Sequence, residues 1–253
     1  MTFSVLIPAR YSSSRFPGKP LIELNGRTMI QRVYERATKS KAAAVYVATD
    51  DERIADSVYE IGGKVVMTEA NHESGSDRIY EAASALGLRD DEVVVNVQGD
   101  EPLIPPEAID QVARLVDQKT RMATLMTTLR HAEEVFDPNV VKVVADNSGQ
   151  ALYFSRAPIP WSRDQFQNGD KLLPHPSAWN RHLGIYSYSM SMLREYVNWP
   201  IGMLEHIEAL EQLRVLANGE RIRVEQSTSE IPRGIDTPDD VAHVLKILSE
   251  EDK

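Results

Sequence analysis

The chain has no cysteine, so it can form neither a disulfide nor a thiolate metal site, and any metal must rest on carboxylates or histidines. Oxygen-seeking ions such as Mg²⁺ are the first choice on that ground. No apolar run approaches the roughly 20 residues that span a bilayer, and the opening MTFSVLIPAR lacks the basic start and long apolar middle of a secretion signal. A cytoplasmic protein without membrane insertion is expected. General positive charge is also missing: the formal net charge is −10, which argues against a nucleic-acid partner, since such proteins carry a basic face. Internal repeats, low-complexity tracts and clear linkers are absent too. With 253 residues, 42% of them hydrophobic and 26% charged, the chain can bury a substantial core.

Against that acidic balance, residues 1–41 hold eight Lys or Arg and two acids, Glu23 and Glu35. This basic island suits a small anion better than a long polyanion. Within it, IPARYSSSRFPGKPL (7–21) runs an apolar strand into a loop that carries Arg10, Ser12, Ser13, Ser14, Arg15, Gly18 and Lys19. Cationic side chains, hydroxyls and backbone N–H groups together are what a polyphosphate requires. The loop is neither a Walker A sequence, since Pro20 follows the lysine, nor a G-x-G-x-x-G turn.

Up to residue 118, short β-rich runs (3–9, 44–49, 64–67, 92–98) alternate with amphipathic segments (27–40, 51–62, 76–87, 105–118). That order predicts an α/β fold with a mostly parallel central sheet, whose ligands bind at the carboxyl ends of the strands. Further strands are expected at 122–129, 140–146, 151–157 and 181–189. The Pro-rich stretch 158–180, with Trp161 and Trp179, is too long for an ordinary connection. It reads as a loop over a site or a subunit contact. A helix is expected over 204–217, then a strand near 221–226 and a last helix from Thr237. The whole reads as one domain, 1–253, with a smaller β-rich lobe inserted at about 122–190.

Candidate site residues follow the strands. VVVNVQGDEP (93–102) ends a buried strand in Gln98 and Asp100, where the carboxylates suit either a metal-nucleotide or a helix cap. In RGIDTPDD (233–240), Thr237 and Pro238 start a helix, while Asp236 stands outside the cap and is free to share a Mg²⁺ with Asp100. NHESGSDR (71–78) starts a helix at Ser74 or Ser76 and offers Arg78 to a carboxylate. His182 and Tyr186 have the same parity on one strand and so face one side. Glu205, Glu208 and Glu211 are either a solvated acidic face or the source of one carboxylate for sugar hydroxyls.

Taken in order, IPARYSSSRFPGKPL, VATDDERI, HESGSDR, VNVQGDEP, YFSRAPIPW, RHLGIYSY, LEHIEALEQLRVL and GIDTPDD resemble the CMP-Kdo synthetases, the 3-deoxy-manno-octulosonate cytidylyltransferases, over almost the whole chain. The wider group is the GT-A-like nucleotidyltransferases. The resemblance implies that CTP and Kdo give CMP-Kdo and pyrophosphate for lipopolysaccharide synthesis, in a homodimer that uses Mg²⁺. It also implies that Arg10, Ser14, Arg15 and Lys19 hold the triphosphate. Asn71, Ser74, Gly75 and Gln98 would lie around cytosine and ribose, Asp100 and Asp236 would bind the metal, and Arg78, Arg156, His182, Tyr186 and Glu211 would receive the sugar acid. Where the family usually shows Ser-Gly-Thr-Glu-Arg, this chain has Ser-Gly-Ser-Asp-Arg (74–78). An 8-amino form of Kdo is the alternative sugar. A glycosyltransferase of the same broad fold and a noncatalytic nucleotide-binding protein are the other readings.

Overall fold

The structure, a computed structural model, describes residues 2–12, 16–72, 74–167, 173, 175–235 and 237–251. Strand β1 (Phe3–Ala9) sets the layers by alternation: Val5 and Ile7 enter one apolar cluster, and Leu6 between them enters another on the opposite face. A short hairpin, β2 (Glu23–Leu24) and β3 (Arg27–Thr28), leads into α1 (Met29–Thr38), which opens with a capping box between Thr28 and Gln31. Then come β4 (Ala44–Thr49), α2 (Glu52–Tyr59), β5 (Val65–Met67), α3 (Gly75–Ala85), β6 (Val93–Asn96) and α4 (Pro106–Ala113). The β-α alternation read from the sequence is present element by element.

In the second half, β7 (Met122–Thr128), α5 (Ala132–Phe136), β8 (Lys142–Ala145), β9 (Ala151–Ser155), α6 (Arg163–Phe166), β10 (Asn180–Ser189) and α7 (Met190–Asn198) follow. The chain ends with α8 (Met203–Glu208), α9 (Leu213–Ala217), β11 (Arg223–Gln226) and α10 (Pro238–Glu251). The central sheet runs β11-β7-β10-β6-β1-β4-β5. All of its pairs are parallel except those of β10, which is antiparallel to β6 and β7. One face packs on α1, α2 and α4 and the other on α3 and α7, so the buried strands are apolar on both sides. The segment 122–190 begins and ends in strands of this sheet; β8 and β9 are the strands that stand off its path, attached through β10.

Two features of β10 shape the site. Its pairing with β6 runs from Ser189↔Val93 to Tyr186↔Asn96, and beyond that point the strands part, leaving a seam between Gln98 and Gly184. A bulge then shifts the register with β7 between Leu183 and Tyr186. The Thr124 hydroxyl, which lies against the carbonyls of Leu183 (3.0 Å) and Ile185 (2.7 Å), fills this bulge.

One expected element is corrected. The helix predicted over 204–217 is broken into α8 and α9, because Ala209 adopts the left-handed conformation at φ 50° and ψ 51°. The cause lies elsewhere in the sequence. The carbonyls of Glu208 and Ala209, which a continuous helix would use internally, instead accept from Arg156 Nε (2.6 Å) and Nη2 (3.3 Å). In the long 158–180 stretch, Trp179 is buried in a satellite cluster and its indole N–H donates to the Pro160 carbonyl, whereas Trp161 is exposed.

Candidate active site

The carboxyl ends of β1 and β6 are pressed together: a Cβ on Gly99 would stand 2.9 Å from the Pro8 carbonyl oxygen. Past them, Lys19 reaches across. Its Nζ donates to Asp100 Oδ2 at 2.6 Å and to the Ile235 carbonyl at 2.5 Å, and the Ile235 N–H returns to the Asp100 carbonyl at 2.9 Å. Gly234 allows this approach, since a Cβ there would meet the Asp100 carbonyl at 2.9 Å. The first loop, the end of β6 and the segment before α10 are thereby tied at one point. Gly18, at φ 73° against the Tyr11 ring, turns the chain just before Lys19.

This knot forms one wall of a cleft of about 260 Å³, lined also by Arg10, His72, Ser74, Gly75, Arg78 and Gln98. Ser74 is the N-cap of α3, in a capping box with Asp77, so the start of that helix faces the cleft with its N–H groups. Arg78 is buried; it pairs with Asp50 at 3.1 Å and donates to the Thr68 hydroxyl, and desolvation lowers its pKa. It opens into this cleft, beside the phosphate-type cations, and not into the chamber of the other expected sugar residues. Asn71 sits exposed in a turn outside the lining, while its neighbour His72, which the sequence reading passed over, lines the cleft and hydrogen-bonds Glu81. Ser14, Arg15 and Asp236 lie outside the described residues.

A second chamber of about 440 Å³ shares Gly75, Gln98 and Glu211 with the first, so the two adjoin. It brings together Arg156, His182, Tyr186 and Glu211, residues from three separate stretches of chain. Arg156 is held by the α8–α9 break, and its own carbonyl accepts from the buried Lys142 at 2.7 Å. His182 packs edge-on to Phe154, and its Nε2 lies 3.2 Å from Thr124 Oγ1. That hydroxyl has a single hydrogen, directed to a carbonyl, so the imidazole is the donor and Nδ1 is left as an acceptor. Desolvation, with Arg181 adjacent, takes the His182 pKa down to about 3, so the ring is neutral.

Among the described residues, the buried Tyr186 hydroxyl has no hydrogen-bond partner, and burial pushes its pKa well above the usual phenol value. Gln212, 6% exposed and not singled out from sequence, likewise presents an unpartnered Nε2 in the same lining. Glu211 presents surface to the open chamber, but protein crowds its carboxylate, and this desolvation raises its pKa. Ser76 and Tyr196 donate to its Oε2 at 3.1 and 3.3 Å. Glu205, Glu208 and Glu211 do not form a solvated face: Glu205 pairs with Arg214, Glu208 accepts from Ser155 and the Arg156 N–H, and Glu211 turns into the chamber.

Taken together, a cationic cleft with a helix start and the Asp100 carboxylate adjoins a chamber in which Arg156 and Glu211 stand among tyrosine hydroxyls and an uncharged imidazole. The first can bind an anionic nucleotide, and the second a polyhydroxylated molecule. A family model described as cytidylyltransferase matches residues 4–222. The 3-deoxy-manno-octulosonate cytidylyltransferase of Vibrio vulnificus (strain YJ016) is 53% identical over 250 residues, 98% of this chain and 99% of the relative. The enzyme of that name from Cellvibrio japonicus (strain Ueda107) is 52% identical over 251 residues, 98% of each chain. Among solved structures, CMP:2-keto-3-deoxy-manno-octonic acid synthetase complexed with CTP superposes with a TM-score of 0.89 at 39% identity over 99% of both chains. A nucleotidyl transferase from Methanothermobacter, with a TM-score of 0.63 at 14% identity, shares the fold alone. On sequence and structure together, the chain belongs to the cytidylyltransferase family and, within it, to the 3-deoxy-manno-octulosonate cytidylyltransferases.

Proposed function

We propose that the chain condenses CTP with 3-deoxy-D-manno-octulosonate (Kdo), giving CMP-Kdo and pyrophosphate. The observation that carries this reading is the pair of chambers joined at Gly75, Gln98 and Glu211, with Lys19 and Asp100 on the nucleotide side. Arg10 and Lys19 hold the triphosphate, the N–H groups at the start of α3 and Gln98 face the nucleoside, and Arg156, His182, Tyr186 and Glu211 line the sugar side. The anomeric oxygen of the sugar attacks the α-phosphorus, the bond from that phosphorus to the β-phosphate oxygen breaks, and pyrophosphate leaves. In such a transfer the protein contributes positioning and neutralisation rather than covalent chemistry. Lys19 and Arg10 stabilise the charge that grows on the departing pyrophosphate. Arg78, placed in the cleft and paired with Asp50, meets the sugar carboxylate at the junction or a phosphate oxygen.

Mg²⁺ fits the donor set. Asp100, its side chain 32% exposed, offers one hard oxygen ligand, and no cluster of three or more His, Cys, Asp or Glu occurs among the described residues. An ion that keeps most of its shell as substrate oxygens and water needs no more than Asp100 and a second carboxylate, for which Asp236 is the candidate because its chain neighbour Ile235 bonds to Asp100. When bound it supplies a Lewis acid that lowers the pKa of the attacking hydroxyl. A cytoplasmic homodimer, with the 122–190 segment as its lobe, belongs to the same reading; no helix among the described residues is long and apolar enough to cross a membrane. The test is pyrophosphate release from CTP and Mg²⁺ with Kdo, its 8-amino form or no sugar. Release with Kdo alone is expected, preference for the amino sugar would replace the substrate, and no release with either would sink the reading. Light scattering reads the dimer.

A further inference from the structure

Ala209 is not glycine, yet it holds a left-handed conformation in the middle of a sequence with helical periodicity. A strained residue of this kind persists when its surroundings over-determine it. Arg156 supplies one clamp, as described above. The other is internal to the bend: Arg214 Nη2 and Nε donate to Glu205 Oε1 and Oε2 at 2.6 and 2.8 Å, with both side chains under 10% exposed. This bidentate pair closes α8 onto α9 across the break. The four residues between the helices, Ala209 to Gln212, are the ones it forces out of helical register; all four line the second chamber, with Leu210 also packed into the core.

The same guanidinium connects to the chamber by a second route. It stacks 4.6 Å over the Tyr196 ring, and the Tyr196 hydroxyl donates to Glu211. Buried ion pairs seldom add net stability over apolar residues of similar volume, whereas a bidentate fork fixes geometry closely. We propose that the Glu205–Arg214 ion pair is a positioning device, one that aims Glu211 into the sugar chamber through the bend at Ala209 and the Tyr196 ring. This inference rests on the proposed function for the identity of the sugar but not for the placement of Glu211.

The test replaces the pair by apolar residues, Glu205→Leu with Arg214→Met, and reads three things. Thermal unfolding should stay close to the unmodified chain, since the apolar pair fills the same space. The KM for Kdo should rise about tenfold with the KM for CTP unchanged, and the rise should vanish on a Glu211→Gln background, because the pair acts through that residue. Without any substrate, carboxyl ¹³C NMR of Glu211 should show its titration midpoint falling back toward the ordinary glutamate value as the side chain swings into water. An unchanged midpoint, or equal rises in both KM values, would overturn the proposal. Should the double variant fail to fold, Arg214→Lys carries the same readouts, because it keeps the charge and loses the fork. A chain that releases no pyrophosphate refutes the proposed function, while the NMR midpoint still decides the positioning role.

Discussion

The two chambers solve the same recognition problem with opposite physics. The first cleft is made of short-range pieces, strand ends, a glycine turn and a capped helix start, which the long-range hydrogen bonds of Lys19 to Asp100 and Ile235 tie together and to which Arg10 adds charge. The second chamber is made of long-range ones. Its neutral imidazole, its unpartnered Tyr186 hydroxyl and Gln212 amide, and its desolvated Glu211 come from β10 and the α8–α9 bend, with Arg156 from the end of β9. Charge neutralisation tolerates exposure, but hydroxyl recognition needs groups already desolvated and aimed, because only a buried, unpaired partner penalises the wrong ligand.

If that division holds, variants on the two sides should fail in different ways. Asp100→Asn should have the largest effect, lowering kcat by about 10²–10³-fold while circular dichroism stays unchanged; near-normal turnover would remove Asp100 from the chemistry. Lys19→Ala follows, with the CTP KM raised and kcat down by about 10²-fold. A change in the Kdo KM alone would break the division. Tyr186→Phe should raise the Kdo KM about tenfold, near 1.4 kcal/mol, with the CTP KM unchanged and no loss in melting temperature, because the deleted hydroxyl has no partner among the described residues.

Smaller effects sharpen the picture. Glu211 binds its proton more tightly in the folded chain than in the unfolded one. Its contribution to stability is therefore full below the unfolded pKa and lost as the pH rises through the raised folded value. At neutral pH, Glu211→Gln should hold or raise the melting temperature while the Kdo KM worsens; a clear loss of stability would contradict the desolvated carboxylate. Smallest of all, the His182 pKa of about 3 puts no inflection from that ring between about pH 5 and 8 in kcat/KM. A limb there that Gln at position 182 abolishes would show a charged ring.

The same contrast decides what the sequence made legible. The start of α10 was readable because Thr237, Pro238 and Asp240 act locally: both the N–H and the hydroxyl of Thr237 donate to the Asp240 carboxylate. Ser74 was readable as a cap for the same reason. His182 and Tyr186 share a wall as their parity suggested, and the bulge between them adds residues without turning either away. The break at Ala209 left no trace, since neither Gly nor Pro marks it and its causes, Arg156 and the Glu205–Arg214 pair, are tertiary. Arg78 shows the limit from another side. The motif marked it as a carboxylate receiver; which cavity it lines depends also on Asp50 at the end of β4 and Thr68 after β5, partners the motif does not contain.

The parting of β6 and β10 after Tyr186 and Asn96 has a mechanical consequence. Where strands stay paired, moving one past the other breaks ladder hydrogen bonds; among the described residues, none joins them along the seam between Gln98 and Gly184. Relative movement of the stretch that carries Asp100 and the stretch that carries His182 would therefore cost no ladder hydrogen bond between them, and the sheet beneath would keep its register.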